Sequence, residues 1–519
     1  MPSTIYQSTQ MAVSRGDGMS EPRVLELSTQ ARPGGRQVVA IVKPPPPVPR
    51  GADLGWMPTA VRVFALLVIV AVCVLLLPAS LSSAAKAALF AFALAVVLWS
   101  MTELAAAWAA LLSVLVLIAL GGAEQQELLD SLSSDVVWLM IGAFILGGAV
   151  QSTGLAARLT GLVTRRARTV GGVFWMVSVV LLPLSAVVPS TSGRAAVMVP
   201  MYRSLSRAAD DRRTTRALAL LIPTVILVST AGTLVGAGSH LIANDLLDEA
   251  TGERLSFARW ALYGMPFALV ASLLSCQVIL WMFLDAKTRA TPLGVTAGAS
   301  RRSSRRFTAV EYRTVAVALT MVVLWTTEGV HGIAIATVAV AGAIVLTMPA
   351  VGVMSWKTGV KAVQWNLVVF VGAALVLGEA LINTGAAQWI VERLFTLSGI
   401  AEAGSELFVL TALALVTLTS HLYMTSHAAR AAALVPALVY LAQTLGLDPV
   451  AVMFIGTVGM DYCLTFPVSS KALLLYAEID DDTFEPPDLL RLSAVLLPAH
   501  VTLIIVFYYG YWQFVGLTL

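Results

Sequence analysis

The chain has 519 residues, 58% of them hydrophobic and only 12% charged, with a mean hydropathy of +0.84. A soluble domain carries about a quarter charged residues, so this composition excludes a soluble enzyme or nucleic-acid-binding module and indicates a polytopic all-α membrane protein. The formal charge of +3 is small, and Cys73, Cys276 and Cys463 are scattered singly through apolar runs, which excludes a disulfide framework or metal motif and reads as inert packing.

Residues 1–56 are polar, contain arginine and end in Lys43-Pro-Pro-Pro-Pro-Val-Pro-Arg50, the pattern of a disordered cytoplasmic tail. The first long apolar run begins near Thr59, too late for a secretory signal. Spanning helices of about 20 apolar residues are expected near 59–78, 84–101, 104–121, 136–155, 217–245, 260–284, 314–328, 330–350, 364–383, 450–478 and 492–515. Two more apolar segments, 171–202 and 406–442, carry polar interruptions and are expected as re-entrant hairpins. The expectation is thus about 11 transmembrane helices plus two hairpins. Lys and Arg gather in the tail and in 158–168, 203–216 and 287–313, while 122–135 and 244–258 are acid-rich. The basic loops are expected in the cytoplasm, with the N-terminus inside and the C-terminus outside an inner or plasma membrane.

The two halves share motifs at offsets between about 225 and 236 residues. Trp99-Ser-Met-Thr-Glu103 matches Trp325-Thr-Thr-Glu328, Thr153-Gly154 matches Thr384-Gly385, and Ser239-His240 matches Ser470-Lys471. Arg194-Ala-Ala and Arg430-Ala-Ala each lie in a polar interruption, six residues before Pro200 and Pro436. The expected order is a tail (1–56), a first helix (57–82), a first repeat (83–285), a basic cytoplasmic linker (286–313) and a second, inverted repeat (314–519). Inverted repeats with interrupted helices at the midplane are the plan of secondary transporters, and the interruptions mark the substrate site.

This order of motifs resembles the divalent anion/sodium symporter family of the ion transporter superfamily, whose members carry sulfate, dicarboxylates and citrate. The resemblance spans roughly residues 83–515, and Trp325-Thr-Thr-Glu-Gly-Val-His-Gly-Ile333 and Gly378-Glu-Ala-Leu-Ile-Asn-Thr-Gly385 are its most family-like segments. It implies homodimers and elevator-type alternating access. The family's hairpin-tip Ser-Asn-Thr-Ala-Thr is replaced by Ser190-Thr191-Ser192-Gly193-Arg194 and by Ser426-His427-Ala428-Ala429-Arg430. Its Thr-Pro-Pro-Asn is replaced by Ala237-Gly238-Ser239-His240 and by Val468-Ser469-Ser470-Lys471.

Arginine at membrane depth is costly and calls for a reason. Arg194 and Arg430 are suited to grip an oxyanion with two donors each, and Lys471 to act as a point charge. Hydroxyls of Ser190, Thr191, Ser192, Ser239, Ser426, Ser469 and Ser470 add neutral donors. His240 and His427, with Asp461, are the coupling candidates. The family would place sodium contacts at Ser190, Gly238 and Ser426, but lost amides and nearby cations argue for exchange or proton coupling instead. The alternative for each arginine is a structural ion pair with Asp461 or Glu478. Alternative functions are a sodium-coupled dicarboxylate or sulfate symporter, a metalloid-anion carrier, or a cation/proton antiporter of the same superfamily. No nucleophile–base motif or phosphate loop indicates an enzyme, and no cofactor or nucleic-acid partner is expected.

Overall fold

The computed structural model describes residues 57–209, 211–292, 307–398, 405–479 and 483–519. The tail to residue 56 and most of the basic linker, including Arg301, Arg302, Arg305 and Arg306, lie outside them. The chain divides into Met1–Val61, described only over 57–61, and Arg62–Leu519, which holds the core. Among the described residues the structure is helical, and an isolated bridge between Thr169 and Pro292 is the sole β pairing.

In chain order the helices are α1 (Met57–Leu75), α2 (Ser83–Met101), α3 (Ala106–Ala119), α4 (Gln125–Ser131), α5 (Asp135–Ser152) and α6 (Leu155–Arg166). They continue with α7 (Val170–Leu181), α8 (Thr191–Ala209), α9 (Arg212–Val228), α10 (Gly238–Thr251), α11 (Phe257–Phe283) and α12 (Ala286–Ala290). The second half holds α13 (Ala309–Thr326), α14 (Glu328–His331), α15 (Ile335–Thr347), α16 (Trp356–Ala362), α17 (Trp365–Asn383) and α18 (Ala386–Ser398). It ends with α19 (Glu406–Thr419), α20 (His427–Leu445), α21 (Pro449–Met460), α22 (Lys471–Ala477) and α23 (Pro486–Phe507).

Every expected apolar run is helical, and eight helices among the described residues are long and apolar enough to cross a bilayer. The runs 217–245 and 450–478 are each two helices rather than one, because 229–237 and 461–470 leave α geometry. Both interrupted segments also divide, at 187–190 and 423–426. α8 and α20 differ from the short hairpin arms expected there: with 19 residues each reaches about 28 Å, a bilayer's apolar thickness.

Local chemistry sets these boundaries. Thr169 caps α7 by accepting from the Gly172 amide at 3.1 Å, and Asp211 caps α9 through the Thr214 amide at 2.9 Å. Gly154 (φ +74°) and Gly385 (φ +77°) both turn in the left-handed region, directly before α6 and α18. Sequence hydropathy misses those two helices because they are short and amphipathic.

The core is built around α9: in Arg212–Gly232, 94% of the apolar window is buried within protein. Two of the pairings that cross between the halves of the chain bear on the interrupted segments. α8 packs against α22, and α10 packs against α20. Each arginine-bearing helix therefore lies beside the broken helix of the other half.

Candidate functional site

Breaking a helix at membrane depth frees backbone groups that must find partners. In the first half, residues 229–237 form two short 3-10 turns, Thr230–Gly232 and Leu234–Gly236. Trp260 Nε1 donates to the Ala231 carbonyl at 3.1 Å, and Thr233 Oγ1 donates to the Ser185 carbonyl at 2.9 Å. A Cβ on Gly236 would collide with the Thr230 carbonyl, so this turn requires glycine. In the second half, His421 Nε2 lies 2.7 Å from Thr465 Oγ1, which is 2.7 Å from Ser493 Oγ.

Arg194 lies in the first turn of α8 and is fully buried. Its Nη2 donates to Thr230 Oγ1 (2.9 Å) and to the Gly236 carbonyl (3.0 Å). Arg430 occupies the same place in α20, is also fully buried, and donates from Nη2 to Cys463 Sγ at 2.7 Å. Each arginine thus reaches the broken segment of its own half. In both, Nε and Nη1 are buried without a hydrogen-bond partner. Neither forms an ion pair with a carboxylate among the described residues. Of the structural partners anticipated for them, Asp461 pairs with His240, and Glu478 is exposed.

Asp461 follows α21 and is buried. His240 Nε2 lies 2.9 Å from its Oδ2, and His240 Nδ1 lies 2.9 Å from the Thr233 carbonyl. His427 Nε2 is 3.2 Å from Cys463 Sγ, while its Nδ1 faces Asp461 Oδ1 across 3.9 Å, too far for a hydrogen bond. His240, Asp461, His427, Cys463 and Arg430 thus form one largely buried polar cluster drawn from both halves, and Arg194 lies close enough to feel the Asp461 charge. Together they hold two guanidiniums and one carboxylate, an excess of buried positive charge that an anion would balance.

The hydroxyls expected as anion donors also accept from helix-end amides, which leaves their O–H groups to donate. Ser190 Oγ accepts from the Gly193 amide (3.1 Å), Ser426 Oγ from Ala429 (3.3 Å), Ser470 Oγ from Ala472 (3.2 Å) and Ser469 Oγ from Phe466 (3.2 Å). Ser192 Oγ lies 3.0 Å from Ser190 Oγ, and Thr191 is half-buried beside it. Ser239 Oγ is buried without a partner, and Gly238 opens α10. Lys471 opens α22 with an exposed side chain, which differs from the buried ammonium expected of an apolar run, because the preceding break opens the helix start. The sequence missed Cys463, Thr230, Gly236 and Gln364, whose Nε2 donates to Ser190 Oγ at 2.7 Å. Cys463 is correspondingly not the inert packing residue expected.

A separate cavity of about 260 Å³ is lined by Asp135, Asp245, Glu328 and Arg254, with Leu234 and Leu241 as apolar wall. Three carboxylates against one guanidinium make it a poor host for a multivalent anion.

The family model for the sodium:sulfate symporter transmembrane region matches residues 58–518. The chain belongs to the sodium:sulfate symporter family. A membrane protein of Cupriavidus necator is 30% identical over 404 residues, covering 75% of this chain and 76% of that protein. A citrate/succinate antiporter of Escherichia coli K12 is 21% identical over 375 residues (68% and 75% covered). A sodium-dependent dicarboxylate transporter of Staphylococcus saprophyticus is 22% identical over 411 residues (73% and 78% covered). The crystal structure of the Alcanivorax borkumensis YdaH transporter shares the fold, with a TM-score of 0.50 at 14% identity over 74% of this chain and 88% of that one. This member of the symporter family is accordingly an integral membrane transporter and not an enzyme.

Sodium takes oxygen ligands, as hard cations do. In this family member Thr230 Oγ1 and the Gly236 carbonyl, two oxygens of the first broken segment, already receive the Arg194 guanidinium. In the second broken segment the corresponding partner of Arg430 is a sulfur.

Proposed function

We propose that the chain is a secondary active transporter of a small multivalent anion, sulfate or a di- or tricarboxylate, that works without sodium. Arg194 and Arg430 hold the anion, with half-helix N-termini and the hydroxyls of Ser190, Thr191, Ser192 and Ser426 at its edge. The observation that carries this reading is the position of the Arg194 Nη2, bonded to two oxygens of the broken helix while its Nε and Nη1 remain unpartnered. A tethered cation takes up two oxygens of the broken helix that could otherwise serve a free one, and its remaining donors are left for substrate. The names of the relatives, a citrate/succinate antiporter and a dicarboxylate transporter, agree with the anion class.

In this reading the two halves are inverted repeats that move by an elevator mechanism in a homodimer, with the N-terminus cytoplasmic and the C-terminus outside. The test is uptake of labelled sulfate, succinate and citrate into proteoliposomes, with sodium and with potassium as the only cation. Uptake of at least one anion, equal in the two salts, is expected. Steep and saturable sodium dependence would overturn the sodium-free part, and no uptake of any of the three would overturn the substrate class.

A further inference from the structure

The contacts of His240 fix how many protons it shares with Asp461. Its Nδ1 faces the Thr233 carbonyl oxygen and its Nε2 faces a carboxylate oxygen, each at 2.9 Å. A carbonyl can only accept, so Nδ1 bears hydrogen. An ionised carboxylate also only accepts, so the second contact needs a hydrogen of its own. The pair is therefore either imidazolium against carboxylate or neutral imidazole against carboxylic acid. Both hold one proton more than a neutral histidine beside an ionised aspartate. The geometry is well enclosed: the two side chains are 0% and 3% exposed, and the Trp260 ring stacks on His240 at 4.8 Å.

We propose that the His240–Asp461 pair is a proton-binding site, loaded with one proton when a divalent anion settles on Arg194 and Arg430. This rests on the anion-carrier reading above. With the proton present the pair is neutral, the arginines contribute two positive charges, and a dianion leaves the cluster without net charge. With the proton absent the pair carries one negative charge, and a dianion leaves one charge uncompensated in a buried site, where that is expensive. Anion and proton thus load together. The proton comes from water and returns to water, and no bond other than N–H or O–H changes.

The groups facing the pair all come from the elements packed around it. α20 contributes His427 and Arg430, α8 contributes Arg194, and the segment after α21 contributes Cys463. α11 presents the Trp260 ring. α5 and α17 bring Asp135 and Glu379 towards Asp245 and Glu249, further along α10. The cavity lined by Asp245, Glu328 and Arg254 is walled on this side by Leu234 and Leu241 and does not include His240 or Asp461 in its lining.

The experiment is calorimetry of the wild-type carrier with sulfate, which stays a dianion, or with succinate corrected for its own ionisation. Titrations run in two buffers of different ionisation enthalpy from about pH 6 to about pH 8, the range in which histidine sites titrate. Proton uptake approaching one per anion is expected at the alkaline end, and none at the acid end. Above the ionisation of the free pair, Kd should rise about tenfold per pH unit. Binding without proton uptake anywhere in the range would overturn this inference while leaving the carrier reading intact. No binding of either anion would instead overturn the carrier reading. Asp461→Asn should bind without this pH dependence, and a variant that binds with the wild-type pH profile would also overturn the inference. Should that variant fail to fold, the wild-type calorimetry decides alone.

Discussion

Replacing Arg194 by methionine separates an arginine that holds substrate from one that only holds the fold. In the empty protein the change removes two hydrogen bonds, to Thr230 Oγ1 and to the Gly236 carbonyl. An unpaired buried carbonyl costs about 1–3 kcal/mol. Against that, the change removes a buried charge whose confinement costs several kcal/mol. The two effects oppose each other, so the unfolding midpoint without ligand should move little. With an anion bound, the donors lost are Nε and Nη1, which have no other partner. Hydrogen bonds to charged groups contribute about 1.5–3 kcal/mol each. Allowing for the Arg430 charge that remains, the loss is about 2–4 kcal/mol, or roughly 30- to 800-fold in Kd. The assay is thermal unfolding of detergent-purified protein titrated with sulfate, succinate and citrate. Arg194→Lys should fall between wild type and Arg194→Met, because a point charge keeps the attraction and loses the fork. A lowered midpoint with wild-type Kd in Arg194→Met would refute the reasoning and leave the arginine a structural strut.

Other outcomes follow from the same structure. Gly154→Ala and Gly385→Ala should each cost about 1–2 kcal/mol from left-handed strain alone, since a Cβ at either site meets nothing within 4 Å. Gly329→Ala, equally open but helical and outside the positive-φ set, should instead be stabilising by up to about 1 kcal/mol in the same denaturation series. Arg158 holds Glu311 with two bonds, Nε at 3.0 Å and Nη2 at 2.9 Å, and Glu311 also closes the capping box of α13 with Thr308. Glu311→Gln should lower the unfolding midpoint, and the difference from wild type should narrow in high salt, where the charge is screened. Gly236→Ala should abolish anion binding more completely than Arg194→Lys, because the added Cβ displaces the Thr230 carbonyl and the whole turn with it. Binding assays on purified, folded protein check this.

Much of the architecture is legible in the sequence because lipid-facing helices need long apolar runs, and those runs are plain. The arginines are legible for the converse reason: a guanidinium in such a run is conspicuous. The pairing of His240 with Asp461 is not legible, since the residues are 221 positions apart and meet only through packing of α10 against the end of α21. The short helices α6 and α18 escape notice because their apolar residues occupy one face and never form a run. Lys471 misleads for a local reason. Its apolar neighbours suggest burial, yet it opens a new helix after a break and is exposed.

The burial of Cys463 gives the carrier a built-in clock. Its sulfur has no exposure and sits between Arg430 and His427, at the heart of the cluster. Of the two other cysteines, Cys276 is also buried and Cys73 is exposed. In a Cys73→Ser, Cys276→Ser background, the rate of alkylation by a membrane-impermeant maleimide would count how often the cluster meets water. Applying the reagent from one face of a sealed vesicle and then the other would show which side it meets. Exposure of the cluster would thus be timed with the chain's own atoms, without a grafted probe.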